Sequence, residues 1–242
     1  MRTPREAYWA LRPVRWARRD GIGQEIAFWR DFLTSHGAQW PDDYERRIDP
    51  GTAIRDPALI ACVEALHAPR INLLDVGAGP LTSVGRTHPG RTVDVTAVDP
   101  LAPAYDRLLE ELRVEPPTRT VTGSAERLLE HFAPASFDIA YAQNALDHGL
   151  DPRRGIRNML EVVRPGGFVV LRHLRNEAAT ERYTGLHRWN LERRGDELYL
   201  WRRVRAFARN ITAALAPSTE SSSVVEGDGD VVATFRKRRL TR

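Results

Sequence analysis

A tight glycine turn at the end of an apolar segment constrains this chain more than any other feature. Residues 73–80 read LLDVGAGP, so a short apolar strand runs into Asp75 and then into a Gly-x-Gly turn. Glycine at positions 77 and 79 lets the backbone turn sharply and approach a ligand with no Cβ in the way. A helix is expected to follow, which would place the turn at a helix N-terminus that favours electron-rich ligand atoms. The segment therefore predicts a nucleotide-type pocket at the carboxyl end of a parallel strand.

The residue at position 82 separates two interpretations of this turn. A dinucleotide-binding fingerprint needs a third glycine three residues after the second, and here Thr82 stands there. The sequence DVGAGP instead resembles the first motif of the class I S-adenosylmethionine-dependent methyltransferases.

Two segments further along the chain extend this resemblance. Residues 91–100, RTVDVTAVDP, form a β-branched run that ends at Asp99, about 20 residues after the glycine turn. A carboxylate there can accept hydrogen bonds from a ribose diol, although Asp99 could equally cap the helix predicted at 101–113. Residues 120–128, TVTGSAERL, stand where this family lines the adenine, and Ser124 could alternatively cap a helix.

Two more segments complete the order of motifs. Residues 136–148, SFDIAYAQNALDH, read as a buried strand followed by polar residues, and the family places the substrate just beyond this strand. Residues 159–171, MLEVVRPGGFVVL, resemble the family's post-motif, in which a helix stops at Pro-Gly-Gly.

The resemblance implies S-adenosylmethionine as the cofactor. The residues at matching positions are Asp75, Gly77, Ala78, Gly79, Pro80, Asp99, Pro100, Leu101, Ser124, Ala125, Glu126, Gln143 and Asn144.

The fold that it implies is α/β and Rossmann-like. We expect a seven-stranded, mostly parallel sheet with an antiparallel last strand, helices on both faces and an N-terminal helical extension. The domains predicted are residues 1–55, a helical extension or lid, and residues 56–242, the methyltransferase domain. Near the C-terminus, 197–203 and 231–235 are predicted strands, 204–215 a helix, and 217–223 a loop.

The N-terminal extension is rich in aromatic residues. As a lid, it could bring Tyr44 and Arg47 to the cofactor's methionine end, where an arginine can pair with a carboxylate. The alternative is a helix that packs on the sheet through Phe28, Trp29 and Phe32.

Three histidines are candidate catalytic residues. His148 is the first choice for a general base, because it follows Asp147 in the loop expected to face the reactive methyl group. His173, after the fifth strand, and His187, in the segment GLHRWN, are the other candidates. Asp147, His148 and Asp151 offer nitrogen and oxygen ligands for Mg²⁺, but one short acidic loop without a second cluster does not establish a site, and no metal is predicted.

The composition of the chain limits the kinds of partner and bonding that are expected. The chain has 242 residues, a net charge of +4 and one cysteine, Cys62, so an internal disulfide is excluded. The cysteine is expected to be a buried apolar residue of a helix at 57–67. Arginine runs without an RNA-binding module or zinc spacing favour a solvated face over nucleic-acid binding. With no apolar run of transmembrane length, a cytoplasmic location and no membrane partner are expected, and a homodimer is left open.

The function predicted is methylation of a small polar natural-product or sugar-like acceptor, most simply at a hydroxyl group. N-methylation and carboxyl methylation stay open, and the latter would need no base at His148. A nucleic-acid or protein methyltransferase, an NAD(P) oxidoreductase and a non-catalytic binding protein of the same fold are the further alternatives.

Overall fold

The computed structural model describes the backbone of residues 14–239 and the side chains of residues 21–239. The first 13 residues of the predicted extension therefore lie outside the described part of the chain. Within residues 14–239, no helix is both long enough and apolar enough to cross a membrane.

The helices and strands alternate along the middle of the chain. The helices are α1 Val14–Thr34, α2 Pro41–Ile48, α3 Pro57–Ala65, α4 Ala102–Leu112, α5 Pro152–Val162, α6 Glu177–Thr180 and α7 Ile211–Leu215. The strands are β1 Arg70–Val76, β2 Thr87–His88, β3 Arg91–Asp99, β4 Thr120–Thr122, β5 Phe137–Gln143, β6 Val163–Leu174, β7 Asn190–Arg194, β8 Glu197–Trp201, β9 Arg209–Asn210, β10 Thr219–Gly227 and β11 Asp230–Lys237. Short 3₁₀ turns span Ala125–Glu130, Leu146–His148, Arg205–Phe207 and Ala216–Ser218.

The central sheet has eight strands in the order β10-β11-β6-β5-β1-β3-β2, with β4 paired to β3. Strands β4, β3, β1, β5 and β6 run parallel to one another. Strand β11 is antiparallel and lies between β6 and β10. The predicted Rossmann-like sheet with an antiparallel last strand is confirmed. The two-residue β2 is an addition to the seven expected strands.

One of the two strands predicted near the C-terminus does not join the central sheet. Strand β8, predicted as residues 197–203, belongs to a separate three-stranded sheet, β7-β8-β9. The edge of the central sheet is instead β10, which includes most of the segment 217–223 predicted as a loop. Its serines read as a loop because most side chains of this edge strand are exposed, and a polar edge strand gives no apolar alternation. The helix predicted at 204–215 is confined to α7, Ile211–Leu215.

Apolar side chains cover both faces of the central sheet. On one face, α3 packs Leu59, Cys62 and Val63 against β1, β5 and β6. Cys62 is buried as expected, and burial raises the pKa of its thiol to about 12. On the other face, α5, α7 and the small sheet share one core cluster with the central strands. Two buried faces explain why β5 is apolar along nearly its whole length.

The N-terminal helices form a third cluster at the end of the sheet where the glycine turn lies. Phe32, Leu33 and Tyr44 pack there with Leu108 and Leu109 of α4. The alternative to a lid was a helix that packs on the sheet through Phe28, Trp29 and Phe32. Phe28 is 46% exposed, so it is not one of the core residues.

Candidate functional site

The glycine turn follows β1 directly and uses backbone angles that side chains disfavour. Gly77 has a φ of 78° and Gly79 a φ of 65°. The N–H groups of Gly77 and Ala78 both donate to Val98 O, at 2.8 and 3.2 Å, which ties the turn to β3. The turn thus holds the ends of two parallel strands together.

The helix expected after this turn is not formed. Residues 78–86 are irregular, and the next element is β2, which pairs antiparallel with β3. Thr82 donates from Oγ1 to Asp75 Oδ2 at 2.6 Å and accepts from Val84 N at 3.0 Å, which fixes the irregular path. The proposed helix dipole at the turn is therefore absent, and the turn offers only its own backbone.

Asp99 ends β3 beside the turn and is 7% exposed. Its carboxylate accepts from Gly79 N at 3.2 Å and from Leu101 N at 2.8 Å. Burial raises the pKa of Asp99 to about 7, partly offset by these two hydrogen bonds. The carboxylate therefore lies at the turn, where a ribose-binding residue was predicted, and also accepts from the backbone of Leu101, the N-cap residue of α4.

Asp75 is the second buried carboxylate of this region. Burial raises its pKa to about 6, while the hydrogen bond from Thr82 and the charge of Arg47 act in the opposite direction. Sequence reasoning missed the partnership of Asp75 with Thr82, because a threonine in place of the third glycine was read only as a departure from a fingerprint.

Helix α1 places Trp29 directly on the glycine turn. A Cβ built on Gly79 would lie 2.4 Å from Trp29 Cζ2, so the indole packs against the bare backbone. Arg47 reaches the same region, with its guanidinium 5.6 Å from the Trp29 ring and Nη1 donating to Leu81 O at 2.6 Å. Tyr44 instead points into the N-terminal apolar cluster, with its ring 5.9 Å from that of Phe32. Of the two residues predicted from the extension, only Arg47 lies beside the turn.

The predicted adenine loop follows β4. Gly123 N donates to Asp99 O, which brings the loop next to the turn. Ser124 does not cap the following 3₁₀ turn through its side chain. Glu126 Oε1 accepts from Leu150 N at 2.8 Å and Asp151 N at 3.2 Å, so this carboxylate joins the loop after β4 to the loop after β5. Contact of Ser124, Ala125 and Glu126 with a base stays a prediction.

Gln143 and Asn144 stand at the end of β5, and their side chains make internal hydrogen bonds. Gln143 Oε1 accepts from Ser83 Oγ at 2.8 Å and from the Tyr141 hydroxyl at 3.1 Å. Asn144 has a φ of 46°, and its Oδ1 accepts from Leu174 N at 2.9 Å. These bonds position the loop that carries Asp147 and His148.

Asp147, His148 and His187 come together beyond β5, and we call them the Asp–His–His triad. His187 Nδ1 lies 2.7 Å from Asp147 Oδ2 and 3.2 Å from His148 Nε2. His148 Nε2 is also 3.5 Å from Asp147 Oδ2. Both histidines are partly exposed, whereas Asp147 is 1% exposed.

Backbone hydrogen bonds hold the two loops of the triad together. Asp147 O accepts from Arg188 N at 3.0 Å and from Trp189 N at 3.2 Å. Trp189 Nε1 donates to Gly149 O at 3.0 Å. The triad is therefore assembled by the fold, although 40 positions of sequence separate Asp147 from His187.

Charge explains how these groups influence one another. Burial acts to raise the pKa of Asp147, but the charge of His148 and the hydrogen bond from His187 outweigh it and lower that pKa. Burial acts to lower the pKa of His187, but its hydrogen bond to Asp147 and the charges of Asp147 and Glu177 raise it overall. Burial, with the nearby charge of Asp147, raises the pKa of Glu177 to about 7. Sequence reasoning missed Glu177, which comes from α6 and carries no motif.

One predicted catalytic histidine, His173, and one candidate metal ligand, Asp151, are not part of this triad. His173 on β6 is fully buried, and burial lowers the pKa of its imidazole to about 4. An imidazole with no exposed surface is not accessible to an acceptor, so His173 is not part of the proposed catalytic site. Asp151, weighed as a metal ligand, accepts from Arg154 N at 3.2 Å and caps α5 instead.

The triad lies next to the glycine turn. A Cβ built on Gly77 would lie 2.3 Å from Ala145 Cβ, so the loop after β5 packs directly on the turn. The Trp29 contact, Asp99 and the triad thus surround the carboxyl ends of β1, β3 and β5. This edge of a parallel sheet is the position at which α/β folds bind ligands.

Comparison with known proteins finds one family model that matches the middle of the chain and several solved structures of similar fold. Residues 74–171 match a family model described as a methyltransferase domain. One similar structure is a chain in the complex between a Haloferax volcanii methyltransferase activator and its methyltransferase. The two chains are 10% identical with a TM-score of 0.50, and the alignment covers 87% of this chain and 97% of that chain. A SAM-dependent methyltransferase from Thermotoga maritima is 15% identical, with a TM-score of 0.49 and coverage of 88% and 100%. The chain also spans about half, 52%, of the CurJ carbon methyltransferase chain, at 13% identity, a TM-score of 0.49 and 74% coverage of this chain. The match over residues 74–171 favours the methyltransferase interpretation of the glycine turn over the dinucleotide-binding one, and the antiparallel β11 agrees with it.

Proposed function

We propose that this chain, a class I S-adenosylmethionine-dependent methyltransferase, methylates a hydroxyl group of a small polar acceptor such as a sugar-like or other natural-product intermediate. The observation that carries the proposal is the Asp–His–His triad, which stands beside the glycine turn and can take up a hydroxyl proton.

The residues around the turn fit the cofactor. Asp99 offers a buried carboxylate to the hydroxyls of a ribose, and Gly79 leaves its backbone without a side chain. Arg47, next to Leu81, supplies a positive charge for a carboxylate. S-adenosylmethionine, when bound, supplies an electrophilic methyl group on a sulfonium.

His148 is the residue that we assign to proton transfer. Its Nε2 lies against His187 and Asp147, so its other ring nitrogen, Nδ1, is the atom assigned to accept the hydroxyl proton. The Asp147 carboxylate is close enough to stabilise the imidazolium that results. Bound S-adenosylmethionine would supply the methyl carbon, whose bond to sulfur would break as the acceptor oxygen bonds to it, leaving S-adenosylhomocysteine. The hydroxyl proton would stay on His148 until solvent removes it.

His187 has a positioning role in this scheme. Asp147 binds its Nδ1 at 2.7 Å and so fixes the orientation of the ring against His148. The adjacent Trp189 is partly buried, and its indole is held by Gly149 O, which gives the loop a rigid aromatic side. A polar group beside an aromatic face suits sugar-like acceptors.

The test is a product assay. Purified protein is incubated with methyl-labelled S-adenosylmethionine and a panel of hydroxylated, amino and carboxylate acceptors, and S-adenosylhomocysteine release is measured with product mass. The proposal expects a methyl ether from at least one hydroxylated acceptor. Transfer only to amines or carboxylates would overturn the hydroxyl assignment while keeping the enzyme class.

A further inference from the structure

The three polar atoms of the Asp–His–His triad that face one another have the spacing of metal ligands. Asp147 Oδ2, His148 Nε2 and His187 Nδ1 form a triangle with sides of 2.7, 3.2 and 3.5 Å. Neighbouring ligand atoms around a first-row cation bound at about 2.0–2.2 Å lie about 2.9–3.4 Å apart. A cation can therefore approach bonding distance to all three atoms with small side-chain adjustments.

A second observation independently favours a cation at this site. Asp147 Oδ1 and Glu177 Oε2 are buried and have no hydrogen-bond partner within residues 21–239. Asp147 is a member of the triad, and Glu177 Oε1 lies 3.9 Å from His187 Nδ1, so both carboxylates are at this site. Buried carboxylate oxygens without partners are costly, and a bound cation would compensate them.

We propose that the triad binds one divalent first-row transition cation. Two imidazole nitrogens and a carboxylate oxygen suit Zn²⁺, Fe²⁺ or Co²⁺ better than the oxygen-preferring Mg²⁺ or Ca²⁺. Three protein ligands leave coordination positions open, as in sites where a cation acts on a substrate. Glu177, whose Oε1 lies 3.9 Å from the same His187 Nδ1, is positioned as a further ligand.

What such an ion does to the acceptor is inferred from the proposed function, in which the acceptor group is a hydroxyl. A hydroxyl that binds a divalent cation becomes more acidic. The ion would take over from His148 the task of making the acceptor oxygen nucleophilic, with the hydroxyl proton released to solvent. Without a bound ion, His148 can act as the proton acceptor.

The experiment measures the ion directly, without using activity. Tag-free full-length protein is treated with a chelator, desalted and titrated with Co²⁺ while visible absorption is recorded, and Zn²⁺ and Mg²⁺ are then added as competitors. We expect one Co²⁺ per chain, displaced by Zn²⁺ and not by Mg²⁺ at the same concentration. His187→Ala and Asp147→Asn should each weaken Co²⁺ binding at least tenfold.

Matched controls separate the triad from ordinary surface histidines and acids. His88→Gln removes a histidine on β2, and Asp151→Asn changes the carboxylate that caps α5, so both should bind Co²⁺ like the unaltered protein. Circular dichroism shows which variants are folded. If Asp147→Asn does not fold, His148→Ala and His187→Ala still test the site. Co²⁺ affinity that is the same in those two variants and in the unaltered protein, or no binding at all, would overturn the proposal.

The two proposals fail in different ways. S-adenosylhomocysteine binding is measured on the same ion-free and Co²⁺-loaded samples. Cofactor binding without ion binding would refute the cation and leave the methyltransferase proposal and its histidine base intact. Ion binding at the triad without cofactor binding would keep the cation site and refute the proposed function.

Discussion

Asp99 combines burial with a position beside the glycine turn, and this makes it a pH-sensitive residue. Its pKa is raised to about 7, mainly by burial. An unfolded aspartate ionises near pH 4. The contribution of Asp99 to the free energy of unfolding therefore falls as the pH rises from about 4 to about 7, and it is constant and unfavourable above about pH 7.

Cofactor affinity should follow the ionisation of Asp99. A ribose diol donates hydrogen bonds, so it binds the ionised carboxylate better, and the dissociation constant for S-adenosylhomocysteine should fall about tenfold between pH 6 and pH 8. Calorimetry across this range checks it. Asp99→Asn should weaken binding by about 1–3 kcal/mol at pH 8 and remove the slope. A variant that keeps the same slope would take Asp99 out of ribose binding.

His148 carries the proton-transfer assignment at the residue scale. With the ion-free protein, His148→Ala should lower turnover of a hydroxylated acceptor by roughly 10²–10⁴-fold, because the assigned general base is lost. Steady-state rates at saturating cofactor measure it, and unchanged affinity for S-adenosylhomocysteine is the control. Full turnover in His148→Ala would show that proton transfer occurs elsewhere or is not needed.

Helix α1 is held to the central sheet partly by Trp29 on Gly79, and this contact is testable at the scale of the element. Gly79→Ala should lower the free energy of unfolding by about 2–3 kcal/mol, because it adds backbone strain at positive φ and a clash with the indole. Gly90→Ala isolates the strain, since Gly90 has a φ of 69° and open space around its Cβ.

A double mutant completes this comparison. Gly79→Ala combined with Trp29→Ala should be less destabilising than the sum of the two single changes by about 1 kcal/mol or more. Denaturant unfolding of the four proteins provides the numbers. Additive effects would mean that the indole does not rest on this glycine.

How far the elements follow from sequence depends on burial. Strand β5 was predictable because both faces are buried and, apart from Asp138, its residues are apolar until Gln143. Strand β10 was not, because its exposed serines look like a loop and only pairing with β11 makes it a strand. The position of Asp99 at the end of β3 could be read from spacing. The meeting of His187 with Asp147 could not, because it depends on two backbone hydrogen bonds between distant loops.

At the scale of the whole molecule, a charged network around Arg172 connects three elements of the domain. Its Nε donates to Asp56 Oδ2 at 2.6 Å and its Nη1 to Asp230 Oδ2 at 2.9 Å, which links β6 to the start of α3 and to β11. Burial acts to raise the pKa of Asp56, but the hydrogen bond and charge of Arg172 outweigh it and lower that pKa.

Removing this link should destabilise the entire domain. Arg172→Met should cost about 2–3 kcal/mol of unfolding free energy near neutral pH, because Asp56 is left mostly buried without its cation. The difference should shrink as the pH falls below about 4, where the unfolded carboxyl becomes protonated, and should be lost as the pH falls through the lowered pKa of folded Asp56. Arg175→Met, at an exposed pair with Glu226, should change stability by less than about 1 kcal/mol. Equal effects of the two substitutions would contradict a global role for Arg172.

Cofactor identity is the claim on which the other conclusions depend, and one calorimetric titration tests it most directly. Purified protein is titrated at pH 8 with S-adenosylhomocysteine and, in parallel, with NADH and NADPH. We expect one molecule of S-adenosylhomocysteine per chain with micromolar or tighter affinity and no heat from either nicotinamide nucleotide. Binding of a nicotinamide nucleotide alone, or of none of the three, would contradict a methyltransferase built on this glycine turn.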